Sequence, residues 1–241
     1  RASPVYEVRR QAAAAFFGTL RQFENTLATS LDGAVKAHIM AKEARGYASC
    51  LEASLTPDNI SPAAYRMLID TINAHAGRTL HRYVDLRRRV LGLDGPLTFA
   101  HLYNPLLPRA EADYDYEQAR ALIAAALAPL GRDYVTRLAA GLDPANGWID
   151  VYPNADKEGG AYSQGIANGP GSHPYVLMNF DNSLDAVSTL AHEYGHALHS
   201  VYSAAAQPPV YADYTTFLAE VASTCNEALL LDKLLREAPD A

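Results

Sequence analysis

The chain has 241 residues, of which 49% are hydrophobic and 20% are charged, the balance of a folded globular protein rather than a disordered one. Twenty basic residues against 27 acidic residues give a net charge of −7, which argues against nucleic acid as a partner because phosphate binding needs a basic surface. No stretch approaches the ~18 consecutive apolar residues of a membrane span, and no signal sequence opens the chain. We therefore predict a cytoplasmic protein that does not interact with membranes.

The first part of the sequence is dominated by helical patterns. A short break is expected at Asp32-Gly33, and Ser61-Pro62 is a capping serine followed by a proline at the first helical position. Apolar residues at spacings of three and four predict helices over 5–29, 31–55 and 62–90.

Two features of the sequence have ordinary structural explanations. The basic run at 87–89 ends the third predicted helix, where contact with solvent or with the negative end of the helix dipole explains it. Cys50 and Cys225 lack the spacing of a metal pair or of a disulfide framework. We predict two buried, reduced thiols.

The pattern changes in the second half of the chain. A proline-bearing loop over 104–109 precedes a long predicted helix over 116–142, and β-prone segments bounded by glycine and proline follow Gly147. These segments predict short strands over 148–152, 161–166 and 175–180. We expect a mainly α fold in one continuous domain, with a long helical, bundle-like body over 1–145 and a small β-sheet plus two helices over 146–241.

The first of these two helices carries a metal-binding pattern. Asn182 suits its cap and Asp185 its first turn. His192 and His196 lie four residues apart, hence on one helix face and one turn apart, close enough to bind one metal ion. Zinc binds imidazole nitrogen well, and a catalytic zinc site keeps an open position for a water whose proton Glu193 can accept. The pattern predicts one zinc ion per chain, bound by the two histidines, with Glu193 as general base.

A third metal ligand can be found by counting along the two helices. The first is predicted to end near Ser203, seven residues or about 10 Å beyond His196 at ~1.5 Å per residue. A proline-bearing loop over 204–210 leads to Asp213, which suits the cap of the second helix. If the helices pack antiparallel, the residue seven places beyond Asp213 returns to the height of the histidines. That residue is Glu220, the predicted third ligand.

Two more residues near the pattern have open roles. Glu227 lies seven residues beyond Glu220, again about 10 Å, so both cannot bind one ion. Its carboxylate either orients a metal-binding histidine or is a solvated acid. His199 lies one turn beyond His196, and we interpret it as structural or as a support behind the ligands.

Several phrases of the sequence are those of a known family. HEYGHALH at 192–199 and FLAEVASTCNE at 217–227 resemble the oligoendopeptidase F and thimet oligopeptidase group of zinc metallopeptidases, with the oligoendopeptidase F branch closer. The resemblance covers nearly the whole chain, because typical phrases also occur upstream at 23–27, 44–47, 159–162 and 175–182.

The resemblance implies zinc bound by His192, His196 and Glu220, with Glu193 as base. It further implies a metalloendopeptidase that hydrolyses internal bonds of short peptides, and a zincin-like, mostly helical fold whose deep cleft excludes folded proteins.

In that family the segment matching Gly160, Ala161 and Tyr162 lies on a sheet edge near the metal. The resemblance therefore implies that these residues hydrogen-bond an extended substrate as an added strand. An ordinary edge strand with a glycine bulge is the alternative.

Family members run to several hundred residues, whereas the chain ends at Ala241, soon after Glu220. Relatives supply a histidine and tyrosines from a later segment, and loss of such a donor costs ~10²–10³ in rate. The resemblance thus implies a fragment that lacks the C-terminal part, binds zinc and is weakly active or inactive alone. The missing segment or a second chain would complete the cleft.

Two other functions are compatible with the pattern. A zinc hydrolase that does not act on peptides could share it. A helical binding module with a structural metal would need a fourth ligand such as His199, whose geometry is poor because three successive ligands on one helix splay around the ion.

Overall fold

The computed structural model describes residues 3, 5–102, 104, 106, 113–165 and 172–238. The chain forms two compact units, residues 1–110 and 111–241. The fold is mainly α with one small sheet, as predicted. The division of a single domain at residue 145 stays a prediction.

The first unit is helical throughout its described regular structure. Phe23, rather than Asp32-Gly33, separates its first two helices. One glycine costs a helix only about 1 kcal/mol, and the Lys36–Asp32 ion pair of 2.6 Å spans Gly33 on the helix surface. The helices are α1 (Tyr6–Gln22), α2 (Glu24–Ala44), α3 (Cys50–Leu55), α4 (Pro62–Ala76) and α5 (Leu80–Val90).

The helix predicted over 62–90 begins as expected but is shorter than predicted. Ser61 caps α4 as expected, its side chain accepting the backbone N–H of Ala64 at 3.1 Å. The helix predicted over 62–90 is wrong in its length, because it ends at Ala76 and a new helix begins at Leu80. Most of the predicted loop over 104–109 lies outside the described residues.

Two arginines of the basic run at the end of α5 donate hydrogen bonds to the backbone of the segment that follows it. The Arg87 guanidinium donates hydrogen bonds to the carbonyls of His101, Leu102 and Asn104 at 3.1, 3.0 and 2.8 Å. Arg88 donates to the carbonyl of Gly95 at 2.9 Å. Neither a solvated face nor the dipole of α5 therefore accounts for Arg87.

The described part of the first unit has almost no apolar core. Its buried residues are Arg9, Ala100 and His101. Arg9 is held by a 2.8 Å hydrogen bond from Nε to the carbonyl of Ala100. Large apolar side chains are exposed on four of its five helices, among them Phe16, Phe17, Leu31, Met40, Met67, Ile72 and Tyr83.

The described part of the second unit contains four α-helices and the sheet. The helix predicted over 116–142 is interrupted, because a tighter turn over Ala128–Leu130 contains Pro129 and Gly131 adopts a φ of +96° that a helix cannot continue through. The helices are α6 (Tyr116–Ala126), α7 (Arg132–Leu142), α8 (Leu184–Ala206) and α9 (Thr216–Glu237).

The sheet has three short strands in the order β1-β3-β2. Its members are β1 (Ile149–Asp150), β2 (Tyr162–Gln164) and β3 (Tyr175–Leu177). β3 pairs parallel with β1 and antiparallel with β2, with Val176 opposite both Ile149 and Ser163. All three predicted strands are present but shorter, and residue 166 of the second lies outside the described part. β2 is therefore an edge strand.

An apolar core joins the sheet to the helices of this unit. Tyr194 of α8 is fully buried in it and donates its hydroxyl to the carbonyl of Gly141. Around it lie Ile123, Leu127, Leu138, Leu142, Val176, Met178, Phe180, Val187, Leu190 and Leu198. Within the described residues, no helix combines the length and the apolar character needed to cross a membrane.

Three details of the second unit correct the predictions. Ser183, not Asn182, caps α8 by accepting the N–H of Ala186, although Asp185 lies in the first turn as expected. Thr215, not Asp213, precedes α9, and α8 continues to Ala206 rather than Ser203.

The two cysteines are free, as predicted, but they are not buried. Cys50 is half-buried and Cys225 is exposed.

Candidate metal centre

Three potential ligand atoms converge between α8 and α9. Nε2 of His192 and Nε2 of His196 lie 3.1 Å apart. Oε2 of Glu220 lies 3.4 Å from the first of these nitrogens and 3.6 Å from the second. Among the described residues, these three side chains form the group able to hold a metal ion.

The helix pair brings the three atoms together. The histidines are one turn apart on α8, and contacts from Ala191 to Asn226 and from His196 to Glu220 show that α9 runs antiparallel to it. The helices approach closely at Gly195. A Cβ added there would lie 2.5 Å from Cα of Ser223 and 2.8 Å from its nitrogen, so no larger residue fits without moving the backbone.

The spacing of the atoms fits a tetrahedral metal. Zinc–ligand bonds of about 2.0–2.1 Å place tetrahedral ligand atoms about 3.3–3.4 Å apart. The three observed separations of 3.1, 3.4 and 3.6 Å bracket that value. Two imidazole nitrogens and one carboxylate oxygen are also ligands that zinc accepts. The donor set therefore fits zinc in both chemistry and spacing.

The second ring nitrogen of His192 faces another carboxylate. Its Nδ1 lies 3.4 Å from Oε2 of Glu227, and Oε1 of Glu227 accepts a long hydrogen bond of 3.4 Å from the Ser188 hydroxyl. A carboxylate in this place fixes which ring nitrogen carries the proton and how the ring is turned.

The carboxyl group of Glu193 is buried, with 7% of the residue exposed. Burial raises its pKa, the neighbouring His192 opposes that rise, and the carboxylates of Glu220 and Glu227 add to it. The pKa of His196 is lowered, chiefly by burial and secondly by the neighbouring His192.

The residues predicted to bind substrate lie at the sheet edge. Tyr162 is the first residue of β2 and pairs with Leu177 of β3. Gly160 adopts a φ of +94°, a region that favours glycine. The side-chain amide of Asn179 donates to the carbonyls of Glu158 and Gly160, both at 2.8 Å, and so fixes the approach to Ala161.

β2 passes close to the metal-binding helix. A Cβ added to Gly165, the residue after β2, would collide with the side chain of Ser200, one turn beyond His196.

His199 is not one of the potential metal ligands, and its side chain is half-buried. Its ring stacks on that of Tyr214 with centroids 3.7 Å apart and planes at 14°. Its Nδ1 is buried without a hydrogen-bond partner among the described residues. Burial lowers its pKa.

Two further residues near the site, Asn226 and Tyr214, hold its helices and loop in place. Asn226 is 1% exposed, accepts from the hydroxyl of Tyr134 at 2.9 Å and donates to the carbonyl of Ala191 at 2.9 Å. Tyr214 bonds its hydroxyl to Ser200 at 2.8 Å. A polar residue on the apolar face of α9, four residues before the buried Leu230, is the sequence signal that could have indicated Asn226.

Comparison with known proteins identifies peptidases as the proteins that this chain resembles. Residues 139–240 match the model described as peptidase family M3. The matched segment contains His192, His196 and Glu220, and it agrees with the resemblance stated from the sequence.

The oligopeptidase PepF of Bacillus subtilis is 43% identical over 234 residues, which are 97% of this chain and 34% of that protein. Two crystal structures each cover 99% of this chain. One is a candidate peptidase from Chlamydophila abortus, with 38% identity, a TM-score of 0.78 and 39% of that chain covered. The other is oligoendopeptidase-F from Enterococcus faecium, with 29% identity, a TM-score of 0.63 and 33% covered. The chain spans about a third of the length of these relatives.

Proposed function

We propose that this chain carries the catalytic centre of a zinc-dependent metalloendopeptidase that hydrolyses internal bonds of short peptides. The observation that carries the proposal is the convergence of His192, His196 and Glu220 at the spacing of a tetrahedral ion. The peptidase family and the name oligoendopeptidase-F of one structural relative support the substrate class.

One zinc ion would be held by these three side chains. When bound, zinc supplies a Lewis acid that polarises the scissile carbonyl and lowers the pKa of water to about 7. Glu227 orients the ring of His192 through its Nδ1, and its position 3.4 Å away favours this role over that of a solvated acid.

Glu193 acts as the general base. It accepts a proton from the attacking water and delivers that proton to the leaving amine as the peptide bond breaks. Burial supports the role, because a carboxylate with a raised pKa holds a proton more strongly than an exposed one does.

The edge of β2 would bind the extended substrate. Gly160, Ala161 and Tyr162 lead into this strand, and the sheet order leaves its outer edge free of any described strand. The two hydrogen bonds from Asn179 hold the segment in place, which favours a binding edge over an ordinary edge strand.

The activity of the whole protein is proposed on the same grounds, since the chain covers 34% of a relative's length. Short peptides remain the proposed substrates, in the cytoplasm. A further segment or a second chain completing the cleft, and weak or no activity of the 241-residue chain alone, also stay predictions.

The structural-metal alternative lacks its fourth ligand in the described part of the chain. His199 is outside the ligand group and stacks on Tyr214 instead. A zinc hydrolase that prefers other bonds is distinguished by assaying simple amides and esters beside peptides.

Metal content is the first experiment. Plasma mass spectrometry of the purified chain should find about one zinc per chain, as the three-ligand donor set implies. His192→Ala should lose the metal, while His38→Ala, on the exposed surface of α2, should keep it. Failure of the chain to bind zinc that is supplied would contradict the site.

The second experiment separates binding from chemistry. In the natural full-length protein, Glu193→Gln should retain zinc and lose peptide hydrolysis, because the amide cannot accept the proton. Normal turnover by that variant would remove Glu193 from its role.

A further inference from the structure

A cavity of about 480 Å³ opens beside the metal ligands. His196 and Glu220 form one wall, the strand segment from Ser163 to Gly165 forms another, and the loop that carries Asp213 forms a third. This volume lies within the range of about 300–1,000 Å³ typical of small-ligand sites. A peptide whose scissile bond lies at the metal centre would therefore have a neighbouring side chain within reach of the cavity.

Asp213 gives the cavity a negative charge that has no basic partner in the part of the chain that the structure describes. Asp213 is exposed, and the hydrogen bond found for its carboxylate among the described residues is from the N–H of Tyr214 at 3.0 Å. No lysine or arginine of the described residues lines the cavity or pairs with Asp213. A carboxylate with free lone pairs in a concave, partly enclosed site attracts a cation.

The residues before and after Asp213 are both hydrogen-bonded to α8. Before it, the carbonyl of Ala212 accepts a hydrogen bond from the Ser203 hydroxyl at 2.5 Å. After it, Tyr214 bonds to Ser200 and stacks on His199. The carboxylate is thus placed by α8, the helix that carries the metal-binding histidines.

A second polar group belongs to the same cavity. Ser163 is one of the residues that line the cavity, and its hydroxyl is buried and lacks a hydrogen-bond partner among the described residues. A buried hydroxyl without a partner costs free energy that a bound polar group can recover. Both groups suit a side chain that donates several hydrogen bonds.

We propose that this cavity is a specificity subsite that binds an arginine or lysine side chain of the substrate next to the scissile bond, with Asp213 as its charge partner. The inference rests on the proposed peptidase function and further specifies that the substrate carries a positively charged side chain next to the scissile bond.

The test measures binding rather than turnover. The natural full-length protein carrying Glu193→Gln is loaded with zinc and titrated with alanine-based peptides of one length, in which a single arginine is moved from position to position. The same series with norleucine is the uncharged reference. One arginine position should bind about tenfold more tightly than its norleucine counterpart, the size of a hydrogen-bonded charge interaction.

Three variants locate the preference. Asp213→Asn should remove the arginine advantage, and Asp213→Lys should transfer it to a glutamate peptide. Asp232→Asn makes the same charge change on α9, at a residue that pairs with Arg236, and should leave it unchanged. Zinc content and circular dichroism confirm that each variant is folded.

The outcomes separate the two ideas. Binding of peptides with no dependence on arginine, or an arginine preference that survives Asp213→Asn, overturns the subsite and leaves the peptidase intact. If zinc or every peptide fails to bind, the proposed function falls and the subsite falls with it.

Discussion

Replacing Gly195 by alanine tests the close approach of the helices that form the candidate metal centre. The added Cβ would lie 2.5 Å from Cα of Ser223, whereas carbon atoms pack at about 3.5–4.0 Å. Because the obstructing atoms are backbone, α8 and α9 must separate by roughly 1 Å. Overpacking of this kind costs about 1–3 kcal/mol, and the better helix propensity of alanine offsets about 1 kcal/mol.

The same separation would move Glu220 away from the histidines. Metal–ligand distances tolerate only about ±0.2 Å, so a shift of roughly 1 Å should weaken zinc binding by at least about tenfold. Denaturant unfolding measures the stability, and competition with a chromophoric chelator measures the zinc affinity. Both should fall together.

Gly33→Ala is the matched control. Gly33 also lies inside a helix, but a Cβ added there meets nothing within 4 Å. That substitution should stabilise the chain by about 0.5–1 kcal/mol and leave zinc affinity unchanged. If Gly195→Ala behaved like the control, the helices could not be as close as the structure places them.

Two further predictions concern the residues behind the ligands. Glu227→Ala should weaken zinc binding by about 10–100-fold without removing it, because His192 loses the carboxylate that orients it. Competition with a chelator measures the zinc affinity, and Glu237→Ala on the same helix is the control. Asn226→Leu should lower the free energy of unfolding by about 2–4 kcal/mol, because the Tyr134 hydroxyl and a helix carbonyl lose a buried partner.

Each of these predictions has a clear contrary result. Unchanged zinc affinity in Glu227→Ala would show that its carboxylate is merely solvated. For Asn226, the double variant with Tyr134→Phe is informative: the two costs should fail to add, because both changes remove one shared hydrogen bond. Simple additivity would contradict the bond.

Local geometry explains why part of the site could be predicted. The prediction of Glu220 followed from the rise per residue and the antiparallel course of two helices. Both helix ends were placed wrongly and the two errors do not cancel, but the loop between the helices already runs back along α8, where the Ser203 hydroxyl bonds to the carbonyl of Ala212 and Ser200 bonds to Tyr214. α8 runs past Ser203 to Ala206, and α9 begins after Thr215 rather than at Asp213, yet the carboxylate still reaches the histidines.

Helix boundaries were harder to predict because weak local preferences compete there. Gly33 was expected to break a helix, but a single glycine is tolerated where an ion pair spans it. Gly131 breaks one that was expected to continue, since its positive φ closes the turn after Pro129. Neither residue type decides the outcome by itself.

Tertiary contacts account for what the sequence could not show. The cavity beside His196 depends on a loop folding back through Tyr214, and the burial of Asn226 depends on α9 packing against α8, with Tyr134 of α7 as a further partner. Neither arrangement follows from spacing along one helix.

The exposed apolar side chains of the first unit affect how the isolated chain behaves in solution. Described residues of 1–110 bury Ala100 as their one hydrophobic core residue, while phenylalanine, leucine and methionine side chains point to solvent. Exposed faces of this kind pair between molecules. Concentrated solutions of the isolated chain are therefore prone to self-association, and dilute solutions or a mild detergent are the natural conditions in which to study it.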